Sequence, residues 1–465
     1  MKLSLRQIAE VLNAEMLGCE DISEISVDIF SIDSRTIKRG EVFFAIKGEN
    51  FDGAKFAEEA ITKGAPFAII GKSQLDSVSI KKKLLVVEDS TRALQDLAAY
   101  VRKNAEGLTF IGITGSAGKT TSKEMTYALL KDSYKTAKTE GNLNNLYGLP
   151  LCMLAINGNE EIFVGEMGMS THGELKRLVE ITDPDIGVLL NVYPVHTVNF
   201  ETIEDVAKAK AELFESMKND GTVIYNNDNE FSRKIGNKYG GRRVTYGIIH
   251  ESDVMAENIR YRGFDGTDIT MAIEGSRYEI RIPRYGPGNI YNFLSAAAVA
   301  YAMGVDAGEF NRRIDEMSVA IGRSNVYKLK ENITVLDDSY NSNPVAMEML
   351  LGFLQRYRNE GRKVVVAGDM LELGKKELSE HLRIGKVIAK SDIDLLVTIG
   401  SLSRKMIEGA LEDGMKKAQI KHFETAEEAA SKIESFIEKD DIVLVKGSHG
   451  IHTEKVVEKL KRSFK

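Results

Sequence analysis

The chain has 465 residues, 43% of them hydrophobic and 28% charged. That is the balance of a soluble globular protein, and at ~150 residues per domain it points to about three domains. Sixty-two Lys and Arg against 69 Asp and Glu leave a net charge of −7, which argues against a nonspecific nucleic-acid binder with a basic face; no run approaches the ~18 apolar residues of a membrane span.

From the N-terminus, the interleaved charges and apolar residues of Met1–Ile8 predict an amphipathic first helix rather than a signal peptide. Residues 1–105 then alternate short elements: a helix over Ala54–Gly64, strands over Pro66–Ile70 and Leu84–Val87, and a helix over Thr91–Lys103. A second region, 106–320, opens with a strand over Leu108–Ile113, a Gly-rich turn and a helix over Thr121–Leu130. Strands over Ile162–Gly165, Ile186–Val192 and Thr222–Tyr225 follow, with amphipathic helices between them, which predicts a mostly parallel, doubly wound sheet. A third region, 321–465, places strands at Ile333–Leu336, Lys363–Ala367, Leu395–Ile399 and Asp441–Val445, a second open α/β sheet of Rossmann-like type without a GxGxxG. The two cysteines, Cys19 and Cys152, and seven histidines without a CxxC argue against a disulfide framework or a zinc site and for a reducing cytoplasm.

The strongest local signal is Gly115-Ser116-Ala117-Gly118-Lys119-Thr120-Thr121. It follows an apolar strand and opens a helix, so its backbone N–H groups are placed to cradle phosphates, the alternative being a Gly-rich turn that only caps the helix. Lys119 supplies a cation for the β/γ phosphates and Thr120 a hydroxyl for Mg²⁺. The standard pattern has its first Gly where this chain has Ile113, so the loop is a shortened variant. Glu166 and His196 stand at or beyond strand ends, where a carboxylate can hold Mg²⁺ and a histidine can serve as a ligand or as a loop hydrogen-bonder. In the helix Ile203–Met217, Lys210 falls on the apolar stripe: it either snorkels to the edge or faces a site. Asn289 and Asn292 share a helix face and either read an adenine edge or cap the helix. Asp337–Pro344 follows a strand, as a helix-starting turn or a polar binding loop.

Together these stretches resemble the Mur ligase family, over nearly the whole chain. The resemblance rests on Asp33-Ser34-Arg35, Gly40–Ala45, Gly48, Asp52-Gly53 and Phe56 in the first region. In the second it rests on the P-loop, Thr139–Asn145, Glu166–Met169, His196, Ala209–Glu212, Asn289 and Asn292. In the third it rests on Gly322-Arg323, Asp337–Pro344, Ala367–Gly374 and Lys446–Ser448.

The resemblance implies an α/β protein of three domains, with a nucleotide-sugar-binding N-terminal domain, a central P-loop ATPase domain and a C-terminal Rossmann-like domain. It implies ATP and Mg²⁺, with Thr120, Glu166, His196 and Lys210 around the metal, Lys210 as a carbamate made from CO₂. Asn289, Asn292, Arg323 and Asp338 join the P-loop in holding the nucleotide, and Ser34, Arg35, Asn144, Asn341 and His449 meet the substrates. The implied reaction joins UDP-muramoyl-tripeptide to D-Ala-D-Ala through an acyl phosphate, in a cytoplasmic monomer. Three positions depart from the family pattern: Ala54 and Gly288, where His is usual, and His449, where Arg is usual. An Arg-to-His change loses a bidentate carboxylate grip. A related ligase acting on another acid and amine, such as one closing a tetrapyrrole ring, stays open, as does a P-loop ATPase switch.

Overall fold

The computed structural model describes the chain apart from residues 23, 49–50, 195–198, 316, 318–321 and 358–360. Among the described residues three main sheets follow one another along the chain. The first has five strands in the order Glu15–Leu17, Leu84–Val87, Ala68–Gly71, Val42–Phe44, Phe30–Ser31, parallel except for the first pair. The chain does not open directly in a helix as expected. Leu3–Ser4 first pairs with Ser26–Val27, and the helix Leu5–Val11 starts at a capping box. There the Ser4 hydroxyl accepts from the Gln7 amide and the Gln7 side chain accepts from the Ser4 amide. The helix expected over Ala54–Gly64 divides into a 3₁₀ turn, Gly53–Phe56, and an α-helix, Ala57–Thr62.

The middle sheet has nine strands among the described residues. Its parallel part runs from Thr136–Lys138 through Ile162–Glu166, Thr109–Thr114, Ile186–Leu189, Thr222–Asn226 and Arg242–Gly247 to Val254–Tyr261. Two further strands, Thr267–Ile273 and Ser276–Ile282, extend it antiparallel. The doubly wound expectation is therefore right for the half that carries the Gly-rich turn and incomplete at the far edge. Continuous apolar runs explain the parallel half: Phe110, Ile111, Ile113, Val164 and Val188 are all fully buried, as strands covered by helices on both faces must be. The strand expected over Ile186–Val192 ends at Leu189.

The third sheet runs Asn325–Lys328, Thr334–Asp338, Ile442–Lys446, Lys363–Gly368, Leu395–Ile399, Ile420–Phe423, parallel but for its first strand. Because Ile442–Lys446, last in sequence, inserts between two earlier strands, the order switches there, and ligand crevices form at such points. The two cysteines are free and buried. Among the described residues no helix is long and apolar enough to cross a membrane.

Phe264 ties the middle and third sheets together. It is packed in one core cluster with Tyr285, Phe353 and Met370, and its ring centroid lies 4.2 Å from that of Tyr357. Gly263 is held at φ +62, where a Cβ would sit 2.6 Å from the Tyr357 ring, so the close approach demands glycine.

Candidate functional site

A cavity of about 590 Å³ lies between the middle and third sheets, lined on one side by Ser116–Lys119, Asn144 and Glu166 and on the other by Arg323, Asp338, Asn341 and Glu372. Its floor is the Gly-rich turn. The strand Thr109–Thr114 delivers the chain to Gly115, and the helix Lys119–Leu130 begins at Lys119 itself, two residues earlier than expected. Gly118 caps that helix at φ +85. A Cβ there would meet Asn292 Oδ1 at 2.2 Å. Both the left-handed backbone and the neighbour require glycine. Amides at a helix start, with the dipole's positive end, suit an anion.

Asn191 braces the turn. Its Oδ1 accepts from the Ala117 amide at 2.9 Å and its Nδ2 donates to the Ala117 carbonyl at 3.1 Å. Ser116 exchanges hydrogen bonds with the Tyr193 backbone at 3.1 and 2.9 Å. Asn191 stands beyond the strand Ile186–Leu189, inside the stretch expected as strand over Ile186–Val192, and a lone amide closing an apolar run is its sequence signal.

Lys119 donates to the Gly115 carbonyl at 3.0 Å. Burial pulls its ammonium below the usual lysine range, and the Glu166 charge opposes this. Glu166 is opposite Ile113 in the sheet register and buried. One oxygen accepts from Thr120 Oγ1 and the other from Asn144 Nδ2, both at 2.7 Å. Thr120 and Glu166 thus put a hydroxyl and a carboxylate side by side at the phosphate cradle. Two hard oxygens there suit Mg²⁺, which takes one or two carboxylates and completes its shell with water and phosphate. Among the described residues no group of three or more His, Cys, Asp and Glu is disposed to hold a metal ion. His196 lies outside the described residues.

Lys210 sits in the helix Ile203–Ser216 and is 2% exposed. Burial, reinforced by the Lys119 cation, pushes its ammonium well below the ordinary lysine value. It does not snorkel. A buried amine so depressed is uncharged more of the time, the form that reacts with an electrophile.

Asn289 and Asn292 lie in the helix Pro287–Ala302. Asn292 Nδ2 donates to Asn289 Oδ1 at 3.3 Å, and Ser122 of the P-loop helix donates to Asn292 Oδ1 at 3.3 Å. Asn289 Nδ2 reaches the Tyr285 carbonyl at 2.8 Å. Both asparagines line the cavity. Neither one is the helix N-cap, which is Gly286. Beside them Gly288 also lines the cavity, and apart from its chain neighbours and its own helix backbone no atom of the described residues lies within 4 Å of where a Cβ would sit.

From the third sheet, Asp338 and Lys446 are register partners at adjacent strand ends and form an ion pair. Lys446 also donates to the Asn341 carbonyl at 2.9 Å, and Asp338 accepts from the Ser324 amide at 3.1 Å. A lysine ending an apolar strand is the sequence signal for this role of Lys446. The Arg323 guanidinium lies 4.0 Å above the Tyr340 ring, and His449 stacks on that ring with centroids 5.2 Å apart.

Ser34 and Arg35 are not among the cavity's lining. Ser34 is buried, whereas Arg35 is exposed and paired with Asp33 at 2.7 Å, which holds the Asp33 carboxyl down at about 2. Ala54 is a core residue of the first domain, 1% exposed.

The family profile described as Mur ligase middle domain matches residues 113–300, the Mur ligase glutamate ligase domain 322–449, and the Mur ligase family catalytic domain 26–102. UDP-N-acetylmuramoyl-tripeptide–D-alanyl-D-alanine ligase of Bacillus subtilis (strain 168) is 31% identical over 461 residues, 99% of this chain and 98% of that protein. Among solved structures, MurF from Acinetobacter baumannii superposes with a TM-score of 0.89 over 99% of both chains at 27% identity. MurF ligase from Thermotoga maritima in complex with ADP superposes with a TM-score of 0.81, covering 94% of this chain and 97% of that one, at 29% identity.

Proposed function

The chain belongs to the Mur ligase family, and on that premise we propose that it joins D-alanyl-D-alanine to UDP-N-acetylmuramoyl-tripeptide at the expense of ATP, in peptidoglycan precursor synthesis. The observation that carries the reading is the cavity itself. A phosphate cradle on the middle domain faces polar residues of the third domain, as a transfer between two substrates requires and a switch ATPase does not. The reading divides the chain into 1–105, 106–320 and 321–465, and is supported by each sheet lying within one interval. It takes the protein as a cytoplasmic monomer.

In this reading the Gly115–Thr121 turn holds the phosphates, through its amides at the helix start, and Lys119 neutralises charge on the γ-phosphoryl as it moves to the peptide carboxylate. A contact of this kind is worth roughly 10²-fold or more in rate. Thr120, Glu166, Lys210 and His196 would hold Mg²⁺, which supplies charge neutralisation on the phosphates. Lys210 serves as a carbamate: the ammonium first gives up one proton, the neutral Nζ then adds CO₂ and loses a second, and a buried cation becomes an anion, which suits its depressed ammonium. Asn289, Asn292, Arg323 and Asp338 position the nucleotide. Ser34 and Arg35 meet the nucleotide-sugar, and Asn144, Asn341 and His449 the reacting ends. Closure of the domains keeps water from the acyl phosphate.

The test is phosphate release coupled to peptide formation with ATP, UDP-muramoyl-tripeptide and a panel of amines. One phosphate per amide with D-Ala-D-Ala is the expected result. Release with another acid–amine pair alone would replace the substrates, and release without any amine would replace the ligase reading by an ATPase.

A further inference from the structure

Stability alone does not account for Lys123. It lies in the helix Lys119–Leu130, one turn on from Lys119 and Thr120, and it is fully buried. Burying an ammonium costs energy unless it is bonded and paired, and an apolar side chain of similar volume usually serves a core as well or better. A second cation four residues after Lys119 also works against the helix. Lys123 is not among the cavity's lining, so it meets no substrate there.

Its ammonium is spent on one short segment. Nζ donates to the Thr139 carbonyl at 2.6 Å and to the Gly141 carbonyl at 3.5 Å, and Glu124, itself paired with Lys138, lies 3.3 Å away. Both carbonyls follow the strand Thr136–Lys138, which ends its sheet and pairs on one side only. Gly141 turns the chain at φ +52. The segment then reaches Asn144, whose carbonyl accepts from the Gly168 amide at 2.7 Å and whose Nδ2 donates to Glu166. Thr139 holds Glu166 as well, its Oγ1 accepting the Glu166 amide at 3.0 Å. The Glu166 carboxylate in turn accepts from Thr120 Oγ1, on the helix that carries Lys123.

These bonds close a ring. It runs from the helix through Lys123 to the segment Thr139–Asn144, from there to Glu166, and back to the helix at Thr120. Lys123 is the member that fixes how far the segment stands from the helix, and Glu166 is held from that segment at both its backbone and its side chain.

We propose that Lys123 is a positioning residue for the metal: through the segment Thr139–Asn144 it sets Glu166 against Thr120, so that the two hold Mg²⁺ together. This rests on the reading above in which Thr120 and Glu166 are metal groups, and it adds the residue that aligns them.

The experiment measures binding rather than turnover. A β,γ-imido analogue of ATP is titrated into the full chain with and without Mg²⁺, and the parent is expected to bind it more tightly with the metal. Lys123→Met keeps the length of the side chain and removes its donors. It is expected to lose about tenfold of that tightening, the lower end of what a group behind a metal ligand is worth, while affinity without metal stays within about threefold of the parent. Lys123→Gln keeps an N–H for one carbonyl and is expected to fall in between; being the milder change, it carries the test should the methionine variant fold poorly. Met125→Ala opens a void in the core of the same helix, so it should lower the melting temperature and leave the tightening as it is. Tightening unchanged in both Lys123 variants would overturn the proposal. Equal loss in Met125→Ala would overturn it too, by making the effect one of stability. A parent whose affinity Mg²⁺ does not alter would remove the metal reading, and the proposal with it.

Discussion

Gly118 carries two constraints at once, a positive φ and the Asn292 amide where a Cβ would be. Gly118→Ala is therefore expected to cost roughly 1–3 kcal/mol from backbone strain and to displace Asn292 from the cradle. ATP affinity should fall tenfold or more, since about 1.4 kcal/mol suffices for that; melting temperature and nucleotide titration read the two effects. Lys210 is different, because its side chain is buried without an anion bonded to it among the described residues, and a charge there costs energy unless it is paired. If it carries CO₂, activity of enzyme stripped in CO₂-free buffer should rise with added bicarbonate, and ¹³C-labelled bicarbonate should give a carbamate resonance that Lys210→Ala lacks. A bicarbonate-independent rate would refute this.

At the scale of elements, the helix Glu377–Ala389 acts on the site from behind. His381 is fully buried, donates from Nδ1 to the Glu377 carbonyl at 2.6 Å and accepts the Met370 amide at Nε2. Burial lowers its pKa below the ordinary histidine value. At this site the native state thus binds fewer protons than the unfolded chain, so the contribution of His381 to stability is constant above about pH 6.5 and falls as pH drops through the window beneath it. His381→Gln should flatten that acid limb at a cost of about 1 kcal/mol at neutral pH, the worth of one hydrogen bond; denaturant melts across pH check both. This helix also marks how far sequence reaches. The Gly-rich turn was legible because strand, glycines, lysine and helix are adjacent in the chain. The parallel strands were legible because burial on both faces makes them uniformly apolar. Arg242–Gly247 and the strands up to Ser276–Ile282 were missed because polar residues interrupt their apolar pattern, as with Arg277 and Glu279. The clasp of His381 on Met370, and that of Asn191 on Ala117, were illegible because partners 11 and 74 residues apart are brought together by the fold alone.

Across the whole molecule, two sheets must keep their relative pose to form the cavity, and Phe264 is a principal tie. It meets Tyr285, Phe353 and Tyr357 within 6.0 Å, centroid to centroid. The Asp265–Lys328 ion pair beside it is exposed and contributes little. Phe264→Ala should remove about 3–5 kcal/mol of packing, as for other buried phenylalanines. The loss falls at a junction, so calorimetry is expected to split one unfolding transition into two. Ligation should fall more than ATP affinity, because Arg323, Asp338 and Glu372 depend on the pose and the Gly-rich turn does not. A single transition merely shifted downward would show the domains coupled elsewhere.

The vacancy beside Gly288 makes the cavity addressable by covalent chemistry. Both native thiols, Cys19 and Cys152, are buried, and burial raises the pKa of each, so they are poor nucleophiles. A cysteine put in place of Gly288 would enter open space on the cavity wall without displacing a neighbour. It would be the one accessible thiol in the chain. Electrophilic fragments could then be captured one at a time beside the asparagine pair, and a spin label or fluorophore there would report how far the third domain travels as each substrate arrives.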